Sequence, residues 1–330
     1  MQENLTLLMM HKSGYLVLLL GLLLPFCLQA QQLPQFSHYS FNGQFISPGY
    51  AGVKGQTELN VLYRYQWLGY DGAFDAGGSP RTALFSVSAP VSALKGGVGL
   101  VVMKDEIGAV DVFYTQLAYS HHVSIAEGVL GIGIQGGLTN MSKGGYRAND
   151  LGDNRVPFNS SDRKFDMGAG LWYQHSRWYV GAGITNLLGS SYEFENTDKN
   201  NEVGTVSGEK HLMLTGGYEI ELSRAVDVTP TVMFKQDINA GVNSLEVGGR
   251  ATFNDKFWGG AGYRFGEAVT GMLGVYLLKD NALSFGYAFD YTTVGTNAKS
   301  ATSHEVMLGY RLPKPRNNTR PPVRTPRYFF

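Results

Sequence analysis

The stretch 282–291, ALSFGYAFDY, constrains the fold more than any other part of the chain. Leu283, Phe285, Tyr287, Phe289 and Tyr291 fall on one parity; Ala282, Ser284, Gly286, Ala288 and Asp290 fall on the other. A period of two is a β-strand with two unlike faces. Five large apolar or aromatic side chains opposing small and acidic ones is a steeper contrast than a soluble sheet needs. It suits a strand with lipid on one side and a polar lumen on the other.

The pattern recurs along the chain. Fourteen segments read as strands: 57–67, 81–90, 95–104, 110–122, 127–140, 164–174, 177–186, 209–221, 225–236, 242–253, 256–266, 268–279, 282–292 and 303–312. Most have the roughly 9–11 residues of a tilted membrane strand, and an even number is what single-chain bacterial barrels use. The connections alternate in length. Those at 91–94, 123–126, 175–176, 222–224, 254–255 and 280–281 are short, whereas 68–80, 141–163, 187–210 and 293–302 are long; the turn near Gly266 and Glu267 is a short exception. Outer-membrane barrels have short periplasmic turns and longer external loops. The predicted fold is therefore an all-β transmembrane antiparallel barrel of about fourteen strands over 57–312, with both chain ends periplasmic.

Charges avoid the aromatic face. Leu59, Val61, Tyr63, Tyr65 and Trp67 oppose Asn60, Arg64 and Gln66; Leu245, Val247 and Phe253 oppose Glu246 and Arg250. Phe257, Tyr263 and Phe265 oppose Arg264, and Val306, Leu308 and Tyr310 oppose Glu305 and Arg311. An arginine facing lipid near the midplane costs about 2–4 kcal/mol, so these charges are expected to face inward. The set is Arg64, Asp166, Glu219, Asp227, Lys235, Glu246, Arg250, Arg264, Glu305 and Arg311. It reads as a self-neutralising network, or else as a conduit or docking surface; the mixture of signs argues against an ion-selective channel. Gly97, Gly99, Gly181, Gly183 and Gly274 share the inner face and are expected to leave room for large residues across the lumen. Trp67 and Trp178 suit aromatic girdles.

Composition agrees. Only 16% of residues are charged, against about 25% in soluble chains. Glycine reaches 43 residues and tyrosine 19, yet nothing after residue 30 is apolar for the 18 residues a spanning helix needs. Zero net charge gives no case for a nucleic-acid partner. Residues 1–30 read as a secretory signal: His11 and Lys12, an apolar run over 15–24, then Pro25 and a small-residue end at Ala30. Phe26 before Cys27 is too large for a lipid-attachment site, and without residues 1–30 the chain has no cysteine.

Catalytic and cofactor chemistry finds little support. The histidines share no metal-ligand spacing, and His121 and His122 point to opposite faces of a strand. The glycine-rich run 131–137 lies in a strand with no helix after it, so it is not a nucleotide loop. Ser303-His304 and Ser120-His121 are adjacent only in sequence and do not by themselves make a lipase pair. No catalytic residue, metal or cofactor is expected.

The terminal segments stand apart. Residues 31–56 hold five aromatics before the first strand and read as a periplasmic or plug-like segment. Residues 313–330, rich in proline and arginine without an acid, read as an extended periplasmic tail.

Several elements together resemble the PorP/SprF family of the type IX secretion and gliding systems. They are Pro34-Gln35-Phe36-Ser37 with Tyr39, then Pro48 with Tyr50-Ala51-Gly52, then Tyr63-Arg64-Tyr65-Gln66-Trp67 and Pro80-Arg81-Thr82. Gly286-Tyr287, Asp290 and Ser303-His304-Glu305 follow near the end. Leu33, Ser47 and Gly49 depart from the family's usual residues. The resemblance implies a non-enzymatic outer-membrane barrel that supports secretion or surface attachment of adhesin-like cargo with a C-terminal sorting domain. It also implies a periplasmic, peptidoglycan-associated partner of the secretion machine, besides the outer-membrane lipid. Gln35, Phe36, Tyr39, Pro48, Tyr50, Gly52, Arg64, Gln66 and Trp67 are the candidate docking residues. A passive channel for small solutes is the alternative, and an outer-membrane lipase using Ser303 ranks below it.

Overall fold

The computed structural model describes residues 33–70, 78–144, 160–194, 204–295 and 300–313. The expected signal, Cys27 and all but the first residue of the basic tail lie outside them. Fourteen antiparallel staves close into a barrel. They are β1 (Glu58–Tyr65), β2 (Arg81–Val91), β3 (Gly96–Ile107), β4 (Val110–Ile125), β5 (Gly128–Lys143), β6 (Ser160–Gln174) and β7 (Trp178–Thr185). The chain continues through β8 (Ser191–Phe194), β9 (Gly204–Ser207), β10 (His211–Tyr218), β11 (Ile220–Ser223), β12 (Val226–Asp237) and β13 (Val242–Phe253). It finishes with β14 (Phe257–Arg264), β15 (Ala268–Leu277), β16 (Leu283–Thr292) and β17 (Thr302–Arg311). Each stave pairs with its sequence neighbours, and β1 pairs with β17 to close the ring. β10 and β11 are two halves of one stave, broken at Glu219 and both paired to β12.

All fourteen predicted strands are present. Two local features differ from expectation. The connection over 187–210 contains a small hairpin of its own, β8 with β9. Its Tyr192 and Phe194 pack onto Met141, Val110 and Val112 at the mouth of the barrel. Glu219 was expected inside, but it is exposed where the stave breaks, because the irregularity shifts its face.

Alternation sorts the side chains as the sequence requires. The outer face is apolar, with Leu117 65%, Ile134 59% and Leu273 60% exposed among many. In water such a surface would drive association; in lipid it is the solvated face. On β16, Phe285, Phe289 and Tyr291 are exposed, whereas Ser284, Ala288, Asp290 and Thr292 are buried.

The interior is not the polar lumen the alternation suggested. Leu62, Leu84, Val101, Met103, Tyr114, Trp258 and Met307 point inward and pack with Phe36 into one apolar cluster. Trp172 and Met213 form a second with Tyr39, Ile46, Tyr50 and Val53. Residues 33–56, which occupy the lumen, supply Phe36 to the first cluster and Tyr39, Ile46, Tyr50 and Val53 to the second. The inward apolar positions of the staves make sense only as the wall's side of a packed core.

The N-terminal segment climbs inside the barrel. Gly52 lies against Ala89, Pro90 and Gly97 near the short-turn end. The Leu33 carbonyl accepts from Lys235, two residues from the long-loop end of β12. Leu312, by contrast, sits at the short-turn end, its N–H bonded to the Thr57 carbonyl. Leu33 and Leu312 thus lie toward opposite ends of the barrel, because residues 33–56 thread the lumen; the two chain ends themselves lie outside the described residues.

Candidate functional site

The segment 33–56 has no long periodic element. It is a 3-10 turn Tyr39–Phe41, a single helical turn Gly43–Ile46 and a 3-10 turn Pro48–Tyr50. Ser47 caps the last: its Oγ accepts from the Gly49 N–H at 3.1 Å, with Pro48 at the first position. Such a piece cannot hold itself together. The barrel wall does so, by two different means.

On the wall formed by β2–β7 the contact is backbone to backbone. A Cβ at Gly133 would sit 2.3 Å from Gly49 N and Pro48 C, so only glycine admits the segment there. Gly183, Gly170, Gly131 and Gly97 play the same part beneath Ile46, Ser47, Gly49 and Ala51. Moving from residue 46 to 52, the segment crosses β7, β6, β5, β4 and β3 in turn. Short polar side chains of the segment and of the wall satisfy main-chain groups on both sides. Ser47 Oγ donates to the Ala182 carbonyl at 2.8 Å, Ser120 Oγ to the Gly49 carbonyl at 3.0 Å, and the Gly52 N–H donates to Ser88 Oγ at 2.8 Å. His122 Nε2 meets the Ala51 carbonyl at 2.8 Å. Gly52 itself has φ +72°, a left-handed conformation that a side chain would strain. Of the five glycines expected to face large residues across the lumen, Gly181 and Gly274 receive the rings of Trp172 and Trp258 from neighbouring staves. Gly97, Gly99 and Gly183 instead receive the N-terminal segment.

On the wall formed by β13–β17 and β1 the contact is ionic. Arg64, Arg264, Asp290, Glu246 and Glu305 are all buried, Arg264 and Glu305 to 1% exposure. Arg64 Nη2 donates to Asp290 Oδ2 at 2.6 Å, and Nη1 donates to Glu305 Oε2 at 3.2 Å. Arg264 Nε donates to Glu246 Oε2 at 2.9 Å, and its Nη1 lies 3.8 Å from Asp290. Two guanidiniums thus face three buried carboxylates, and the half-buried Glu267 also accepts from Arg264 Nη1 at 3.4 Å. The remaining negative charge is met by the N-terminal segment. The Ser37 and His38 N–H groups donate to Glu305 at 2.9 and 2.8 Å, and Ser37 Oγ donates to Asp290 at 2.7 Å. His38 Nδ1 meets Glu305 Oε1 at 2.8 Å; a carboxylate only accepts, so Nδ1 carries the proton. Thr270 Oγ1 completes Asp290 at 2.9 Å. Charge-assisted bonds of this kind are the strong ones, and here they are buried.

The candidate residues therefore divide. Arg64, Glu246, Arg264 and Glu305 converge on one cluster, joined by Asp290. Arg250 is apart, its guanidinium 4.5 Å over the Phe41 ring. Asp166 accepts from the Leu188 N–H at 3.1 Å and anchors the root of a long loop. Arg311 donates to the Asn281 carbonyl at 2.8 Å at the short-turn end. Phe36 meets Phe45 edge-on at 5.3 Å, and Tyr50 meets Trp172 edge-on at 4.8 Å. Tyr39 OH bonds Thr231 Oγ1 at 2.9 Å. Burial pushes the Tyr39 and Tyr50 hydroxyls up, so Tyr50 keeps its proton and donates to Glu58. Pro48 rests against Gly133 and Gly170. Gln35 lines a cavity of about 30 Å³ with Asn42, Lys235 and Glu246, room for about two waters.

Gln66 and Trp67 lie at the long-loop rim. The Gln66 N–H donates to the Pro80 carbonyl at 2.8 Å, and the Trp67 N–H donates to Ser303 Oγ at 3.1 Å. Trp67 turns the chain out of the barrel with φ +52°, its ring edge-on to Tyr70 at 6.2 Å. The serine–histidine neighbours do not converge. Ser303 faces inward while His304 faces outward and bonds Tyr287 OH at 2.6 Å. Ser120 faces the Gly49 carbonyl while His121 is exposed on the other side. Sequence reasoning had no means of singling out Ser37 and His38 as ligands of the charges; their place in the Pro34–Tyr39 element was the available signal.

Comparison with known proteins bears on the same residues. No curated protein matches the chain at a significant level. Among solved structures it is similar to the outer membrane protein Omp33 of Acinetobacter baumannii, at 10% identity and TM-score 0.42, over 78% of this chain and 98% of that one. The P. putida toluene transporter TodX gives 10% identity and TM-score 0.42, over 78% and 88%. The translocator domain of autotransporter NalP from Neisseria meningitidis gives 12% and 0.40, over 83% and 95%. A family model, that of the type IX secretion system membrane protein PorP/SprF, matches residues 28–310 and so includes both the lumen segment and the charges that hold it. The chain belongs to the PorP/SprF family of type IX secretion system membrane proteins.

Proposed function

We propose that this outer-membrane barrel is a non-conducting, non-enzymatic subunit of the type IX machinery that supports secretion or surface anchoring of adhesin-like cargo. The cargo carries a C-terminal sorting domain. The observation that carries this reading is the filled lumen in a chain of this family: residues 33–56 pack against the wall on both sides. A barrel with a packed interior offers partners its two ends, not a passage. In this reading the long loops and the β8–β9 hairpin face outward toward cargo. The short turns face the periplasm and a peptidoglycan-associated component of the machine. A role in gliding follows where the cargo is a motility adhesin.

Deletion of the gene, with cell-surface and culture-medium proteins compared by mass spectrometry, tests the role. The expected result is selective loss of one or a few large surface proteins carrying sorting domains. Unchanged secretion and anchoring of every surface protein would rule it out. Purified protein in planar bilayers separates this reading from a passive solute channel, and no stable single-channel conductance is expected.

A further inference from the structure

The seam between β1 and β17 differs from every other seam in the barrel. The other staves are joined to their neighbours through a connection of the chain, whereas β1 and β17 meet from opposite ends of it. Arg64 and Glu305 are register partners across this seam and lie 241 residues apart in sequence. Pairing them closes a loop far longer than any other seam between staves closes, and closure entropy rises with loop length. The seam therefore needs inward contacts of its own.

Those contacts run through the N-terminal segment. Glu305 accepts four bonds, and three of them come from Ser37 and His38: two main-chain N–H groups and His38 Nδ1. Asp290, on the next stave, takes Ser37 Oγ as well as Arg64. Arg64 Nη1 also donates to Ser37 Oγ at 3.0 Å, so the serine touches both sides of the seam's charge pair. Without this step, Glu305 would keep only the Arg64 guanidinium, and Asp290 would keep Arg64, Thr270 Oγ1 and the more distant Arg264. Unpaired buried charge of that kind disfavours the closed state.

We infer that the Ser37–His38 step is a latch for barrel closure: the segment must be seated before β1 and β17 zip together. Closure is then coupled to seating. The chain order fits, since the latch lies ahead of β1, the stave that β17 must meet. This inference does not depend on the cargo role.

The test is hydrogen exchange on the full-length protein folded into phospholipid vesicles. The variant Ser37→Ala/His38→Leu loosens the latch and leaves the barrel sequence intact. Amides of β1 and β17 are expected to exchange at least tenfold faster, with β4 and β5 unchanged. A control, Ser47→Ala/Ser120→Ala, removes bonds of the same segment to the far wall and is expected to leave β1 and β17 at the wild-type rate. Uniform acceleration around the barrel, or no difference from the control, overturns the latch. A second arm covers failure to fold. Glu305→Gln is combined with Val61→Cys/Leu308→Cys, register partners that both face outward across the seam. Antiparallel neighbours of this kind come within disulfide reach. If Glu305→Gln lowers the yield of the folded, heat-modifiable form, the oxidised pair is expected to restore it. A locked seam without recovery shows that the loss lay elsewhere, and the latch is wrong. If Glu305→Gln folds fully, its β1 and β17 amides must still exchange faster than those of β4 and β5, or the inference falls.

Discussion

The two walls of the lumen hold the same 24-residue segment by opposite strategies. The wall of β2–β7 removes its own side chains, so that main chain lies on main chain and the bonds are short, neutral and local. The wall of β13–β17 and β1 extends long charged side chains, and the segment supplies donors to them. The first wall depends on shape and the second on charge balance. Errors should therefore be felt differently on each. A lost charge leaves others stranded in a buried interior, whereas an added side chain displaces the segment and strands only neutral groups.

Breaking the charged wall should have the largest effect. Arg64→Ala leaves Asp290 and Glu305 without their shared guanidinium, and a loss of about 3–5 kcal/mol is expected from urea unfolding in vesicles. The four tryptophans provide the signal. A loss below about 1 kcal/mol would mean that the pair is hydrated and the wall is not what it is described to be. Gly133→Val on the other wall comes next, at about 1–3 kcal/mol, through forced displacement of Pro48 and Gly49. Its signature should be faster exchange in 46–52 with little change at Ser37 and His38. A smaller change, Tyr39→Phe, removes one hydroxyl bond to Thr231 and is expected to cost about 0.5–1.5 kcal/mol. The lipid face provides the baseline. Leu273→Val should change stability by about 0.5 kcal/mol or less, since lipid adapts to side-chain shape. A lipid-face effect as large as that of Gly133→Val would remove the distinction between a specific interior and an indifferent exterior.

Much of this architecture was legible in the chain itself. Period-two alternation over fourteen segments suffices to predict the barrel, because lipid on one face enforces the pattern stave by stave. The inward charges Arg64, Glu246, Arg264 and Glu305 were readable for the same reason: an outward placement is too costly. What was not readable depends on residues 33–56. That segment has no period, so neither its path nor its partners follow from local pattern. Leu62, Met103 and Met307 stand on a face that charge had marked as polar, and only the buried Phe36 explains them. The inner glycines announced empty space but not its occupant. The β8–β9 hairpin lies in a loop whose strands are four residues each, too short to show a pattern.

The path of residues 46–52 across one stave after another has a mechanical consequence. A cylinder of antiparallel hairpins is weakest when it is squeezed or peeled, because each seam can yield alone. An irregular tie lying across five staves, joined at its other end to β1, β16 and β17, acts as a cross-brace through the bore. Force applied to a loop on one side of the rim is then carried to the opposite wall instead of opening the nearest hairpin.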